Sequence, residues 1–350
     1  MTAQMHDTVE NLDTARWACP HANLVLRADA PREEWLAARR QGIGGSDASA
    51  ILGVNKYSSA YQVWLDKTGR GTEKEETMAM RMGNLLEPIV VQLFEEETGI
   101  RTRRAGLMRS KEHAYLQVSV DRLTADGGLL ECKTSNGFLS HEWEDGQVPD
   151  HAELQVQHGL AVTGRSHAWV AGLLDGREFF VRRIDRDEDL IRIIIEQGER
   201  FWHDHVLADE APAVTAVDYE PLKARFRTAD EGAAVTVDRT TLVVLRAEYE
   251  AAHEAEKTAV EQKKEAAAKI RELAKEADTL KSPEGEVFFT IKQNGVFSAS
   301  QFEKEHPDIA KSFLVPTEKL DAKKLQENHP ELHKQYRART LRLPKLKTNS

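Results

Sequence analysis

Residues 118–133 read VSVDRLTADGGLLECK, and this stretch decides the fold of the chain. Apolar and polar side chains alternate over residues 116–123, the turn ADGG follows, and the segment LLECK begins a second apolar run. A period of two predicts strands, and an Asp-Gly turn between two strands predicts a hairpin. We expect this hairpin to bring Asp121 beside Glu131.

A cluster of charges follows from this pairing. Glu131 and Lys133 lie two residues apart on one strand, so their side chains project from the same face. Two acids and a lysine are costly to bury without a partner, and a divalent cation would supply one. Magnesium prefers oxygen ligands and keeps several waters, and a bound metal activates water against a phosphate. Lys133 would orient the attacking water or neutralise the transition state, so the pattern predicts phosphodiester hydrolysis.

The spacing by itself is a weak indication of function. Two acids and a lysine recur by chance on the surfaces of charged chains, where they need no function. Here both acids lie inside apolar segments, VSVDRL and LLECK, where a purely solvated role is the poorer explanation. The flanking residues therefore favour a functional site.

Helical patterns alternate with strands from Pro31 to about Val206. The predicted helices cover residues 33–40, 46–52, 61–68, 80–98, 151–163 and 187–206, and a second strand pair covers 168–174 and 178–184. Strands flanked by helices predict an α/β fold with a mixed central sheet.

Changes in composition divide the chain into five segments. The predicted segments are a leader (1–30), the α/β domain (31–208), a linker (209–239), a long helix (240–281), and a hairpin with helices and a basic C-terminal tail (282–350). The long helix repeats apolar side chains every 3.5 residues, which is typical of a coiled coil, but Glu256 and Lys263 interrupt the row.

Composition narrows the class of protein. The chain has 350 residues with a formal net charge of -10, and its two cysteines, Cys19 and Cys132, exclude a disulfide scaffold. No apolar run approaches the ~20 residues that span a bilayer, and the first residues lack an apolar export signal, so we expect a cytoplasmic protein without membrane contact. Basic residues nevertheless concentrate at 101–111 and in the last twenty residues, where such faces either bind phosphate or are simply solvated.

Several motifs, in this order, resemble those of the YqaJ-type viral recombinases, relatives of the phage lambda exonuclease in the PD-(D/E)XK nuclease superfamily. They are GIGGSDASAILGVNKY (42–57), VWLDKTG (63–69), GNLLEP (83–88), VSVDRL (118–123), LLECK (129–133) and ELQVQHGLAVTG (153–164). The resemblance runs from about Trp35 to Phe201, and it departs from the superfamily pattern at Val120, where the superfamily name implies proline.

The resemblance implies a restriction-endonuclease-like core and a set of site residues, and the helical patterns beyond residue 239 predict a C-terminal, mainly helical extension. Asp121 and Glu131 would be metal ligands together with the backbone carbonyl of Cys132, and Lys133 would be the catalytic lysine. Two further residues complete the implied set, with Glu87 near a second metal and Gln155 on a helix beside the strand.

The resemblance also implies a site for the 5′-phosphate of a DNA end, formed by Arg39 and Ser46, with a hydroxyl from Ser119. The residues support this independently, because a glycine-rich turn before a helix exposes N–H groups to an anion and an arginine fork matches phosphate. An ordinary loop with a serine at the helix start is the alternative. Trp143, in the loop after LLECK, is a candidate for stacking on DNA bases.

The function implied is a Mg²⁺-dependent DNA exonuclease, with Mn²⁺ as a possible substitute, that acts 5′-to-3′ on double-stranded DNA ends in phage-type recombination. One alternative is a PD-(D/E)XK endonuclease of the restriction or repair type. A second is a non-catalytic protein that binds DNA or docks a recombination partner. The long helix would serve a homo-oligomer, contact with a single-strand annealing protein, or packing on the nuclease core, although its thin alanine seam argues against a free-standing dimer.

Overall fold

A computed structural model describes residues 16–71, 77–230, 232–292, 296–312 and 319–337. Contacts between these residues divide the chain after Arg225 into two compact units. The first unit contains both predicted strand pairs, and the second begins at Phe226 and contains the long helix.

The first unit alternates helices and strands as expected. Its elements are β1 (Ala22–Leu26), α1 (Arg32–Arg39), α2 (Gly45–Ile51), α3 (Ala60–Lys67), α4 (Met78–Thr98), β2 (Thr102–Arg103), β3 (Leu107–Ser110), β4 (Gln117–Ser119), β5 (Arg122–Thr124), β6 (Leu129–Ser135), α5 (Asp150–Thr163), β7 (His167–Leu174), β8 (Glu178–Asp185), α6 (Glu188–Phe201) and α7 (Tyr219–Arg225).

A five-stranded sheet in the order β2-β5-β6-β7-β8 forms the centre of this unit. Strands β6 and β7 are parallel and the other neighbours are antiparallel, so the sheet is mixed. On one face, Val90 and Phe94 of α4 pack with Leu130. On the other, Leu160 of α5 packs with Leu129. The prediction of an α/β core with a mixed central sheet flanked by helices is confirmed.

The predicted strand 116–123 is in fact two strands. Strand β4 pairs with β3 in a smaller sheet of order β1-β3-β4, whereas β5 pairs with β6 in the large one. Val120 and Asp121 lie between β4 and β5, where the chain passes from one sheet to the other. Asp121 is therefore released from the strand pairing, directly before Arg122 pairs with Leu130.

Two segments predicted without regular structure contribute to the first unit. Part of the predicted leader forms β1, which pairs antiparallel with β3. Part of the predicted linker folds as well, because Asp218 is fully buried and accepts hydrogen bonds from Ser59 Oγ at 2.5 Å and Gln62 Nε2 at 3.1 Å. Contacts with residues distant in the sequence hold both segments in place, and local composition does not reveal such contacts.

The prediction that Trp143 contacts DNA is wrong. Its side chain is 2% exposed, and its ring stacks on Phe180 with centroids 5.6 Å apart. The ring lies directly against Gly172, where an added Cβ would be 2.4 Å from it. Trp143 is therefore a core residue that fills the space left by a glycine on β7.

In the second unit, α8 (Arg239–Ala274) ends earlier than the predicted residue 281, because Lys275 has a positive φ of 48°. Residues Thr279–Lys281 form β9 instead, which pairs with β10 (Val287–Thr290). Four short helices follow: α9 (Ala299–Glu305), α10 (Pro307–Lys311), α11 (Ala322–Asn328) and α12 (Pro330–Gln335). The hairpin predicted in residues 282–350 was expected to turn at the Asn-Gly pair 294–295, and this pair and the basic tail beyond Arg337 lie outside the described residues.

Among the residues that the structure describes, no helix has both the length and the apolar composition needed to cross a bilayer.

Candidate active site

The acidic end of the site lies where β5 and β6 begin to pair. Asp121 Oδ2 accepts a hydrogen bond from the backbone N–H of Cys132 over 2.7 Å. Glu131 is 6% exposed, and its Oε1 accepts hydrogen bonds from Lys133 Nζ at 2.6 Å and from Gln155 Nε2 at 2.5 Å. The structure thus brings together the two acids and the lysine of the hairpin.

Gln155 links helix α5 to this end of the sheet. Its Oε1 accepts a hydrogen bond from Lys133 Nζ at 2.8 Å while its Nε2 donates to Glu131. Each of the three side chains therefore contacts the other two, which fixes the position of the lysine ammonium.

The described residues compensate the charge of Asp121 poorly. Burial, followed by the nearby carboxylates of Glu131 and Glu87, raises the pKa of Asp121 to about 8, although the Cys132 N–H and Lys133 oppose that shift. Carboxylates that share a site cannot all stay ionised without a cation. The cluster is therefore short of positive charge.

Glu87 approaches the acidic end from α4 but already has a counter-ion. Arg122 Nη1 donates to Glu87 Oε1 at 2.5 Å and to the backbone oxygen of Asp121 at 2.5 Å. The Arg122 side chain is only 10% exposed. Glu87 is thus close to the cluster, as the family resemblance implied, but it is held there by an arginine that the sequence analysis did not single out.

The basic end of the site is formed by Arg39, at the end of α1, and Ser46, in the first turn of α2. Arg39 Nη2 donates a hydrogen bond to Ser46 Oγ at 2.6 Å. The guanidinium lies over the ring of Trp35, 5.2 Å from its centroid, and the Arg39 side chain remains 34% exposed. A planar group fixed in this way presents its N–H donors to an anion.

Behind Arg39 lies a buried ion pair. The Lys67 side chain is fully buried, and its Nζ is 2.7 Å from Asp47 Oδ2. Arg39 Nη2 is 3.7 Å from the other oxygen of Asp47. Although burial favours the neutral carboxyl, Lys67 and then Arg39 hold the pKa of Asp47 below its usual range. One carboxylate therefore lies between two cations and anchors Arg39 from the inside.

Residues from the acidic end and the basic end of the site line one cavity. Its walls include Asp121, Glu131 and Gln155 together with Arg39, Ser46 and Ser119. Gly45 allows the two ends to approach, because an added Cβ would lie 2.9 Å from Gln155 Cγ and 3.1 Å from its backbone oxygen. A larger residue would push α2 away from α5, which gives the glycine-rich turn a structural reason.

The side chain of Cys132 does not serve as a nucleophile. It packs with the apolar cluster beneath α4, on the face of β6 opposite Glu131. Burial, and then the carboxylates of Asp121 and Glu131, raise the pKa of this thiol far above its usual range. A thiol that stays protonated neither attacks nor ligates, so only the backbone carbonyl of this residue remains as a donor.

Comparison with known proteins identifies the family of the chain. The YqaJ-like viral recombinase domain matches residues 34–166. The protein YqaJ of Bacillus subtilis strain 168, described as uncharacterized, is 39% identical over 219 residues, which cover 61% of this chain and 69% of that protein. The chain belongs to the YqaJ-like viral recombinase family.

Two solved structures are similar to parts of this YqaJ-like chain. An alkaline exonuclease of Laribacter hongkongensis, LHK-Exo, is 26% identical with a TM-score of 0.45, covering 55% of this chain and 98% of that one. A phage-related exonuclease of Haemophilus somnus 129PT is 15% identical with a TM-score of 0.39, covering 50% of this chain and 99% of that one.

Sequence reasoning missed three residues of this YqaJ-like domain: Asp47, Lys67 and Arg122. The first two lie in the motifs GIGGSDASAILGVNKY and VWLDKTG, but nothing in the sequence pairs them. Arg122 could have been suspected, because it is a charge inside an apolar strand and needs a buried counter-ion. The spacing of residues in the sequence did not identify Glu87 as the partner of Arg122.

Proposed function

We propose that this chain is a metal-dependent DNA exonuclease that degrades duplex ends in the 5′-to-3′ direction and serves phage-type recombination. The observation that carries the proposal is the shared cavity, which has Asp121 and Glu131 at one end and Arg39 with Ser46 at the other. A phosphate held at the basic end would leave a nearby phosphodiester of the same strand at the acidic end.

The donor set fits a hydrated magnesium ion, with manganese as a substitute. Within the described residues no three His, Cys, Asp or Glu side chains are arranged as a complete metal cage. Magnesium does not require one, because it binds one or two carboxylates and keeps waters and phosphate oxygens as its remaining ligands. Asp121, Glu131 and the Cys132 carbonyl would hold the ion, which activates water and stabilises charge on the phosphate. The raised pKa of Asp121 supports this fit, since the cluster needs positive charge.

The chain's own residues account for positioning. Glu131 and Gln155 hold the Lys133 ammonium at 2.6 and 2.8 Å, so it can donate to the attacking water or to a phosphate oxygen. The ion pair of Arg122 with Glu87 fixes the backbone beside Asp121 through a 2.5 Å hydrogen bond to its carbonyl. Arg39 and Ser46 would bind the terminal 5′-phosphate and thereby restrict cleavage to ends.

A single cleavage assay tests the proposal. The linear substrates are duplexes with 5′-phosphate or 5′-hydroxyl termini that carry a label on the base of either the 5′-terminal or the 3′-terminal nucleotide. They and a covalently closed circle are each incubated with Mg²⁺, Mn²⁺ or EDTA. We expect release of the 5′ label first, a preference for 5′-phosphorylated ends, and no cleavage of the circle or in EDTA. Lys133→Ala should lose at least about a hundredfold in rate, whereas Lys304→Ala, a matched change on an exposed lysine of the second unit, should not.

Other results would select other functions. Cleavage of the closed circle would indicate an endonuclease of restriction or repair type. Loss of the 3′ label first would contradict the direction. DNA binding without cleavage in either metal would indicate a non-catalytic docking protein.

A further inference from the structure

Helix α8 of the second unit leaves an apolar row exposed to water. Leu242, Leu245, Tyr249 and Leu273 are 51%, 56%, 46% and 75% exposed. The helix has 36 residues and is therefore about 54 Å long. A row of large apolar side chains repeated on one helix is normally covered by another element or another chain.

The row follows a heptad repeat with an uneven seam. Its a and d positions are Leu242, Leu245, Tyr249, Ala252, Glu256, Ala259, Lys263, Ala266, Ile270 and Leu273. Large apolar residues occupy both ends of the seam, while alanines and two opposite charges occupy its middle. If two copies of the helix run in opposite directions, the first half of each seam therefore lies against the second half of the other, and large residues meet at both ends.

We propose that α8 pairs with α8 of a second copy of this chain as an antiparallel coiled coil centred between Lys257 and Thr258. In an antiparallel pair each a position faces a d position of the other helix. This register sets Leu242 against Leu273 of the partner and Leu245 against Ile270 of the partner. Tyr249 faces Ala266 of the partner, so a large ring meets a small residue and the thin seam is filled.

The interrupting charges favour the antiparallel orientation. In a parallel dimer, Glu256 would face its own copy and so would Lys263, which places like charges together in the seam. In the antiparallel register Glu256 lies level with Ala259 of the partner, about 6 Å along the axis from the partner's Lys263 and about 4.5 Å from the partner's Glu256. Two attractions per dimer therefore offset one repulsion, whereas the parallel dimer has two repulsions. The aliphatic stems of Glu256 and Lys263 cover Ala259 and Ala252 of the facing helix.

Charges that flank the seam agree with this register. Glu248 and Lys269 both occupy g positions and face each other across an antiparallel pair, so two such contacts form per dimer. Within the part of the chain that the structure describes, neither side chain makes an ion pair of its own. Both are therefore available to a second copy.

A groove at the C-terminal end of α8 supplies a place for the apolar start of the partner helix. It is lined by Ala267 and Ile270 of α8, by Phe289 of β10 and by Ile291, which directly follows that strand. The antiparallel register brings the partner's residues 242–245, LVVL, to this level. This would also cover Val243 or Val244, which are both 49% exposed and lie outside the seam.

Disulfide cross-linking of the full-length chain tests the register. In the antiparallel pair Tyr249 faces Ala266 of the partner, while the two copies of residue 249 lie about 25 Å apart along the axis. We expect no cross-linking in Tyr249→Cys or Ala266→Cys alone and efficient cross-linking in their mixture under mild oxidation. The unmodified chain, with Cys19 and Cys132, is the control. Cross-linking of each variant with itself, or none in the mixture, would overturn the proposal.

Charge exchange gives an independent test by sedimentation equilibrium at micromolar concentrations. Glu248→Lys or Lys269→Glu alone should weaken dimerisation about tenfold, because two ion pairs become two repulsions. The double variant Glu248→Lys/Lys269→Glu should return to within about threefold of the original affinity. Far-UV circular dichroism checks that the helix is retained. A monomeric mass at every concentration, or a double variant no better than the single ones, would contradict the pairing.

Discussion

The basic and acidic ends of the cavity differ in how their buried charges are balanced. At the basic end, Asp47 lies between Lys67 at 2.7 Å and Arg39 at 3.7 Å. At the acidic end, the carboxylates of Glu131 and Glu87 lie near Asp121, and Lys133 is already hydrogen-bonded to Glu131. The described residues balance the buried carboxylate of the basic end, whereas they leave the acidic end short of positive charge.

Under the proposed function, this difference separates recognition of the DNA end from the chemistry of cleavage. A guanidinium that is already anchored needs no further ordering when it meets a phosphate, so end binding should persist without metal. The acidic cluster should become both active and relieved of repulsion only when a cation binds. Removal of the metal is therefore expected to abolish cleavage and spare end binding.

The largest effect is expected from Asp121→Asn. Cleavage should fall at least about a hundredfold, because the variant loses a ligand to the activating cation. Binding of a 5′-phosphorylated duplex in EDTA should stay within about threefold, and Mg²⁺ should raise the melting temperature of the original chain but not of the variant. Asp175→Asn, an exposed turn position, is the matched control. Full cleavage by Asp121→Asn would remove this residue from the chemistry.

Arg39→Ala should have the next largest effect, confined to one kind of end. The rate on 5′-phosphorylated duplexes should fall about ten- to a hundredfold, because a charge-assisted contact is lost. The rate on 5′-hydroxyl duplexes should change little, and Arg39→Lys should recover part of the loss. Competition between the two substrates in one reaction measures the ratio directly. Equal losses on both ends would show that Arg39 does not recognise the phosphate.

The Asp47–Lys67 pair should act on recognition through Arg39. Lys67→Met alone leaves a buried carboxylate with one cation fewer and should destabilise the fold by about 3 kcal/mol. The double variant Asp47→Asn/Lys67→Met should recover most of that stability in urea unfolding. It should nevertheless discriminate between 5′-phosphate and 5′-hydroxyl ends about threefold less, through KM more than kcat, because Arg39 has lost its anchor. Unchanged discrimination in the stable double variant would make the pair purely structural.

The smallest effect is expected from Asp126, a residue that lies at neither end of the cavity. Asp126 lies in the turn of the hairpin and accepts hydrogen bonds from Thr124 and from Trp169 Nε1. Burial raises the pKa of a carboxyl group, but these hydrogen bonds and the contact with His167 outweigh burial, so the pKa of Asp126 is about 2. A carboxyl group with a lower pKa in the folded chain stabilises the fold at pH values above its pKa in the unfolded chain, which is near 3.8. That stability is lost as the pH falls towards 2.

Asp126→Asn should therefore be less stable than the original chain at pH 7 by about 1 kcal/mol, since the group is partly exposed and screened. The two proteins should converge in urea unfolding as pH falls from about 4 to about 2. Cleavage per folded molecule should be unchanged. A difference that persists at the acidic limit would mean that the amide substitution disturbs the turn itself.

The hairpin site was predictable because its contacts are local. Glu131 and Lys133 share a face by the period of a strand, and a short turn returns the chain to Asp121. The pairings of Arg122 with Glu87 and of Lys67 with Asp47 were not predictable, because each joins separate elements whose packing no local pattern specifies. The burial of Trp143 was missed for the same reason, since the space it fills is created by Gly172 on another strand.

The amino-acid sequence by itself determined the mixed α/β core, the neighbouring acids with their lysine, and the long amphipathic helix, because periodicity and turn chemistry act over a few residues. Only the tertiary structure decided that the strand breaks at Asp121, that Glu87 is neutralised by Arg122, and that Arg39 is anchored by a buried carboxylate. These features depend on which side chains meet when helices and sheets pack, and burial makes each charge depend on partners far away in the chain.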